Sequence, residues 1–170
     1  MQYPIGKFDR SAPISDAQIP QLIDQIRNLP HQLANLLNRA TPETLAGTYR
    51  DGGWTGAQVI HHLADSHMNA YIRFKLALSE ENPTIKPYLQ DAWANTADNA
   101  LEAEVSLNIL RGVHARWVAI LESMSMDEFE RTFHHPEQKR DTSLRTTLAM
   151  YAWHGNHHLE HVRIILAKSD

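Results

Sequence analysis

Two stretches of this chain space their apolar residues at alternating steps of four and three, and a histidine interrupts each. Ala103, Leu107, Leu110, His114, Trp117, Leu121 and Met124 form one series; Leu144, Leu148, Tyr151, Gly155, His158, Val162 and Ile165 form the other. This spacing puts every member on one face of an α-helix, so each stretch reads as a long helix with a buried seam. A histidine in such a seam must satisfy both ring nitrogens away from water, or bind something. The second stretch also packs His154, His157, His158 and His161 into eight residues.

Two more long helices are expected. Residues 15–40 place Ile19, Leu22, Ile23, Ile26, Leu33, Leu36 and Leu37 at helical spacing behind a Ser15/Gln18 capping box. Pro30 should kink or break that helix, because it lacks a backbone donor and clashes one turn back. A second helix should open on the Thr55/Gln58 capping pair and run to about Glu80, with Trp54 placed to staple onto Val59. The third is expected over 98–123 and the fourth over 143–168. Between them, residues 1–14 read as an extended arm, Thr41-Pro42-Glu43 as a helical turn and Asp51-Gly52-Gly53 as a tight turn. Residues 82–96 read as a loop long enough to be a lid, 125–129 as a short helical turn and 131–142 as a small hairpin. Four long helices imply an all-α fold, a four-helix bundle in one domain over 1–170.

Composition excludes several functions. With no cysteine, the chain has no disulfide, no cysteine-ligated zinc and no thiol nucleophile of its own. A net charge of −4 argues against nucleic-acid binding, which normally shows a basic face. No apolar run approaches the roughly 18 residues that span a membrane, and no signal peptide opens the chain, so a cytoplasmic location is expected. The outlier is histidine, with 11 residues, the commonest metal ligand and the usual acid/base at neutral pH.

Helical wheels sort these histidines. On the fourth helix His154 and His158, four residues apart, share one edge of the apolar stripe, where two imidazoles can chelate one ion. His157 and His161 have the same spacing but are expected to face solvent. On the second helix His62 borders the apolar stripe, His61 points the opposite way, and Ser66, Asn69 and Arg73 continue the His62 edge. His62, His154 and His158 are therefore the candidate metal ligands, a set that suits zinc, nickel, copper or iron with open positions. Asp65, one turn from His62, is a candidate for orienting a ligand or accepting a proton. Ser66, Asn69 and Arg73 are candidates for lining a substrate site. Arg73 suits either an anionic substrate group or a carboxylate on another helix. His114 reads as a satisfied core group or an outer partner of the site; His134 and His135, before Pro136, read as surface.

At both motifs the sequence resembles the YfiT group of the DinB superfamily. Gly52-Gly53-Trp54-Thr55, the run from His61 through Lys75 and the stretch from Trp153 to His161 carry the resemblance, with Tyr3-Pro4-Ile5-Gly6 at the start. It implies a four-helix bundle of unusual topology, a homodimer, and one zinc or nickel ion per subunit held by His62, His154 and His158. Members of that group are described as metal-dependent hydrolases, and wider relatives as S-transferases using a low-molecular-weight thiol. Three readings follow. The first is a hydrolase of a small molecule using metal-activated water. The second is an S-transferase that must borrow its thiol from a cosubstrate, and the third is a non-catalytic metal-binding dimer. The helical His-Glu-x-x-His pattern of metalloproteases is absent.

Overall fold

The computed structural model describes residues 2–168; residues 1 and 169–170, the ends of the 1–170 assignment, lie outside the described residues. Four long helices dominate: α1 (Ile19–Leu37), α3 (Gly56–Ser79), α5 (Ala103–Ser123) and α6 (Leu144–Ala167). Short helices α2 (Pro42–Leu45) and α4 (Gln90–Trp93) lie in the connections, and β1 (Thr132–His135) pairs antiparallel with β2 (Arg140–Ser143) before α6. No helix of the described residues is long and apolar enough to cross a membrane.

The helix starts follow local chemistry. Thr55 Oγ1 accepts from the Gln58 amide, and Gln58 Oε1 accepts from the Thr55 amide, closing the expected box at the head of α3. Ser143 caps α6 by accepting from the Thr146 amide. The Ser15/Gln18 box opens a 3₁₀ turn (Asp16–Gln18) rather than the α-helix, which begins at Ile19. The third long helix starts later than expected, because Ala97–Ala100 form a separate 3₁₀ turn that ends at extended Leu101. Gly52 adopts φ 64°, the left-handed conformation that its turn requires.

α1 packs against α5 and α6, and α3 packs against the same two helices. Helices consecutive in sequence, α1 and α3 or α5 and α6, therefore sit on diagonals of the bundle. Diagonal partners need long connections, which accounts for the segments around α2 and around the hairpin.

The apolar core is divided into two clusters. One joins Ile19–Ile26 of α1, Ala70–Ala77 of α3, Trp117–Leu121 of α5 and Leu144–Ala152 of α6. The other joins Leu29 and Leu33, Val59–Ala64, Ala103–Leu110 and Leu159–Leu166. His67, His114, His154 and His158 fall in the gaps between the clusters, so a layer of imidazoles crosses the bundle between two apolar halves.

Pro30 does not break α1, which runs through it with the proline buried. The missing donor instead leaves the Ile26 carbonyl, one turn back, without its helical partner. His114 fills the gap: its Nδ1 lies 2.6 Å from the Ile26 oxygen.

A candidate histidine centre below a cavity

His62 on α3 and His154 and His158 on α6 meet at one point. One ring nitrogen from each lies within 4.8 Å of the other two. The Nε2 atoms of His62 and His154 are 3.2 Å apart, and the His154 and His158 rings meet edge to face at 4.5 Å. The ring centroids of Trp54 and His62 lie 4.7 Å apart, so Trp54 packs against the His62 imidazole. Gly155 lets α6 approach α1 here, since a Cβ would stand 3.0 Å from a Leu29 methyl.

Burial keeps these rings neutral. It lowers His62 to about 4, and it lowers His154 and His158 well below the usual imidazole range, with neighbouring histidines adding to the effect. A neutral imidazole carries one N–H and one lone pair, so hydrogen-bond partners dictate which nitrogen is which. The Ile26 carbonyl can only accept; His114 therefore holds its proton on Nδ1. His114 Nε2 then accepts from His67 Nδ1 at 2.9 Å, and His67 Nε2 accepts from His154 Nδ1 at 3.3 Å. The chain ends with the lone pair of His154 Nε2 directed at the His62 ring.

A second relay does the same for His158. His161 Nε2 donates to the Gln2 carbonyl at 3.3 Å, so His161 Nδ1 accepts from His158 Nδ1, also at 3.3 Å. This leaves the lone pair of His158 on Nε2. Two backbone carbonyls thus set both α6 imidazoles as Nε2 donors to a common point. Three neutral imidazoles with converging lone pairs and outer hydrogen-bonded partners are a donor set that fits a divalent cation.

The site opens into two adjoining cavities, both lined by His62 and His154, of about 640 and 470 Å³. The 82–96 segment forms one wall through Tyr88, Asp91 and their neighbours. It is tied to the hairpin where His134 N donates to the Pro83 carbonyl at 2.9 Å and Ile85 N to the His134 carbonyl at 3.0 Å.

The sequence-derived candidates separate. Ser66 and Arg73 line the larger cavity. Asn69 does not; its amide donates to the Asp65 backbone carbonyl at 2.8 Å. Asp65 is half-buried, its carboxyl pushed up by burial and by Asp98, and it is not among the cavity-lining residues. His61 faces away from the site, as expected, and binds Ser106 Oγ and the Leu101 carbonyl. His157 and His161 are not solvent-facing: they are 6% and 2% exposed. Trp153 and Tyr3 stack on His157, and Tyr49 stacks on His161 at 3.8 Å. His134 pairs with Asp141, whereas His135 lines the cavity from β1. Sequence reasoning favours packing for Tyr88 and misses Asp91 and the bridging role of His67. The first two sit in a segment without periodicity, and the third depends on a contact across three helices.

A helical bundle with a histidine layer opening into a cavity defines a recognisable class. The chain belongs to the DinB superfamily, whose profile matches residues 25–162. It is 47% identical over 162 residues to a Bacillus cereus protein, covering 95% of this chain and 93% of that one. A Bacillus thuringiensis relative is 46% identical over the same shares. Both carry names that provisionally assign a metal-dependent hydrolase activity. YfiT from Bacillus subtilis, described as a probable metal-dependent hydrolase with an unusual four-helix bundle topology, superposes with a TM-score of 0.94 at 40% identity, over 99% of this chain and 97% of that one. A mycothiol-dependent maleylpyruvate isomerase shares the fold, with a TM-score of 0.66 at 17% identity, over 85% of this chain and 60% of that one.

Proposed function

We propose that the protein is a metal-dependent hydrolase of a small molecule, with one zinc or nickel ion held by His62, His154 and His158. The observation that carries this reading is the convergence of three neutral imidazoles where two cavities adjoin: all three line the one of about 470 Å³, and His62 and His154 also line the one of about 640 Å³. A divalent ion held there would supply Lewis acidity to an oxygen bound at its open positions.

The chain's own groups take the remaining roles. Asp91 is an exposed carboxylate that lines both cavities beside His62 and His154, and it is better placed to take a proton than Asp65. Burial pushes the Tyr88 phenol up to about 12, so it stays protonated and can donate to an oxygen that gains charge; Ser66 lies beside it. The names of the two Bacillus relatives and of YfiT support the same reaction class.

The test is turnover of a panel of small esters, amides and lactones by metal-loaded and chelated protein, with and without a low-molecular-weight thiol. Thiol-independent turnover that chelation abolishes is the expected result. Turnover only with thiol would replace hydrolysis by S-transfer; metal binding without turnover of any kind would leave a non-catalytic metal-binding protein.

A further inference from the structure

Arg73 is 9% exposed, yet no carboxylate among the described residues pairs with it. Its contacts are a 3.4 Å hydrogen bond from Nη1 to the Tyr151 hydroxyl and the face of Phe133 at 6.0 Å. A guanidinium has five N–H donors, and the Tyr151 hydroxyl occupies one of them here, at long range. The sequence left two partners open for this residue, a helix carboxylate or an anionic ligand, and among the described residues no carboxylate forms an ion pair with it. Arg73 instead lines the same cavity as His62 and His154.

We propose that this cavity binds its substrate through an anionic oxygen group, a carboxylate or a phosphate, that Arg73 grips while the rest of the molecule reaches the histidine centre. The proposal deepens the hydrolase reading and rests on it for calling the ligand a substrate; anion binding itself does not.

The spacing suits a small molecule. Tyr151 touches Arg73 through its hydroxyl, and its ring lies 5.6 Å from the His154 ring, so about one phenol separates the guanidinium from the histidines. Arg73 lies eleven residues after His62 on α3, but side chains lean towards the helix N-terminus, which brings the guanidinium back towards the site. The surroundings are cationic as well. Arg10 and His135 line a small recess next to Arg73, and His135 is lowered by burial and then by Arg73, with Arg140 and Arg10 adding to the effect and Glu137 opposing it. The acids on the cavity wall, Asp91 and Glu137, are exposed. The planar guanidinium fork facing the cavity can give an anion charge-assisted, bidentate hydrogen bonds.

The experiment is calorimetric titration of the full chain, after chelation, with inorganic phosphate and separately with succinate, against sodium chloride at matched ionic strength. The variants are Arg73→Gln, Arg73→Lys and His154→Ala. Saturable binding of at least one anion is expected, weakened roughly tenfold or more by Arg73→Gln and retained by His154→Ala. Arg73→Lys keeps the charge without the planar fork and serves as the test should Arg73→Gln not fold; its binding is expected to be weaker than wild type. Phosphate and succinate arms tell the two anion classes apart. Binding that survives both arginine substitutions unchanged, or no saturable binding beyond chloride, would overturn the proposal. Retention of anion binding by His154→Ala keeps this result separate from any failure of the hydrolase reading.

Discussion

His154→Ala is expected to abolish tight metal binding, while His114→Leu, which touches no ligand position, weakens it by about 10- to 100-fold. The first effect follows from removing one of three donors that converge within 4.8 Å. The second follows from the relay: without His114, His67 Nδ1 loses its acceptor, and nothing then fixes the His154 proton on Nδ1. His154 would sample both tautomers, and one of them turns an N–H towards the ion. Chelator competition measures both affinities. Nitrogen NMR of the imidazoles gives a readout that a merely structural role would not move, because it reports the tautomer of His154 directly. A His114→Leu protein that folds and binds metal like wild type would show that the relay does not set the ligand.

Metal-free protein is expected to lose stability steeply as the pH falls from about 6.5 to about 4. Burial lowers His62 and His114 to about 4 in the folded state. The unfolded rings take up protons below about 6.5, whereas the folded rings stay neutral until about 4. Their contribution is therefore fully present above 6.5 and is lost progressively as the pH falls to 4. A shift of this size is worth about 3 kcal/mol per ring, so these two residues alone threaten a typical domain stability. His67, His154 and His158 are lowered by the same cause and add to the slope. Urea midpoints measured at intervals from pH 7.5 to 4 test this, and His114→Leu should flatten part of the slope. A midpoint that stays level across the window would mean that the histidine layer is solvated.

The long helices were legible because their apolar spacing is set by the chain itself. Every member of the Ala103-to-Met124 seam is buried, His114 included. His62, His154 and His158 were legible for the same reason: a residue's azimuth on a helix follows from its number. What periodicity cannot give is what lies over a helix face. His157 and His161 were expected in water because the wheel turns them from the apolar stripe, but the N-terminal arm and Tyr49 cover that side. Pro30 was legible as a disturbance of α1 but not as the cause of a free carbonyl, since its recipient, His114, comes from another helix. Arg73 remained ambiguous for a similar reason: only the assembled bundle shows which helix faces lack acids. Tyr88 and Asp91 reach the cavity from a connection whose path no repeat encodes.

The most direct measurement of the histidine centre is metal content with X-ray absorption spectroscopy, on untagged protein after incubation with zinc or nickel and removal of excess. One ion per chain, with a first shell containing three imidazole nitrogens, is the expected result. No retained ion, or an ion without imidazole scattering, would contradict it and leave the layer between the two apolar clusters as a set of hydrogen-bonded rings.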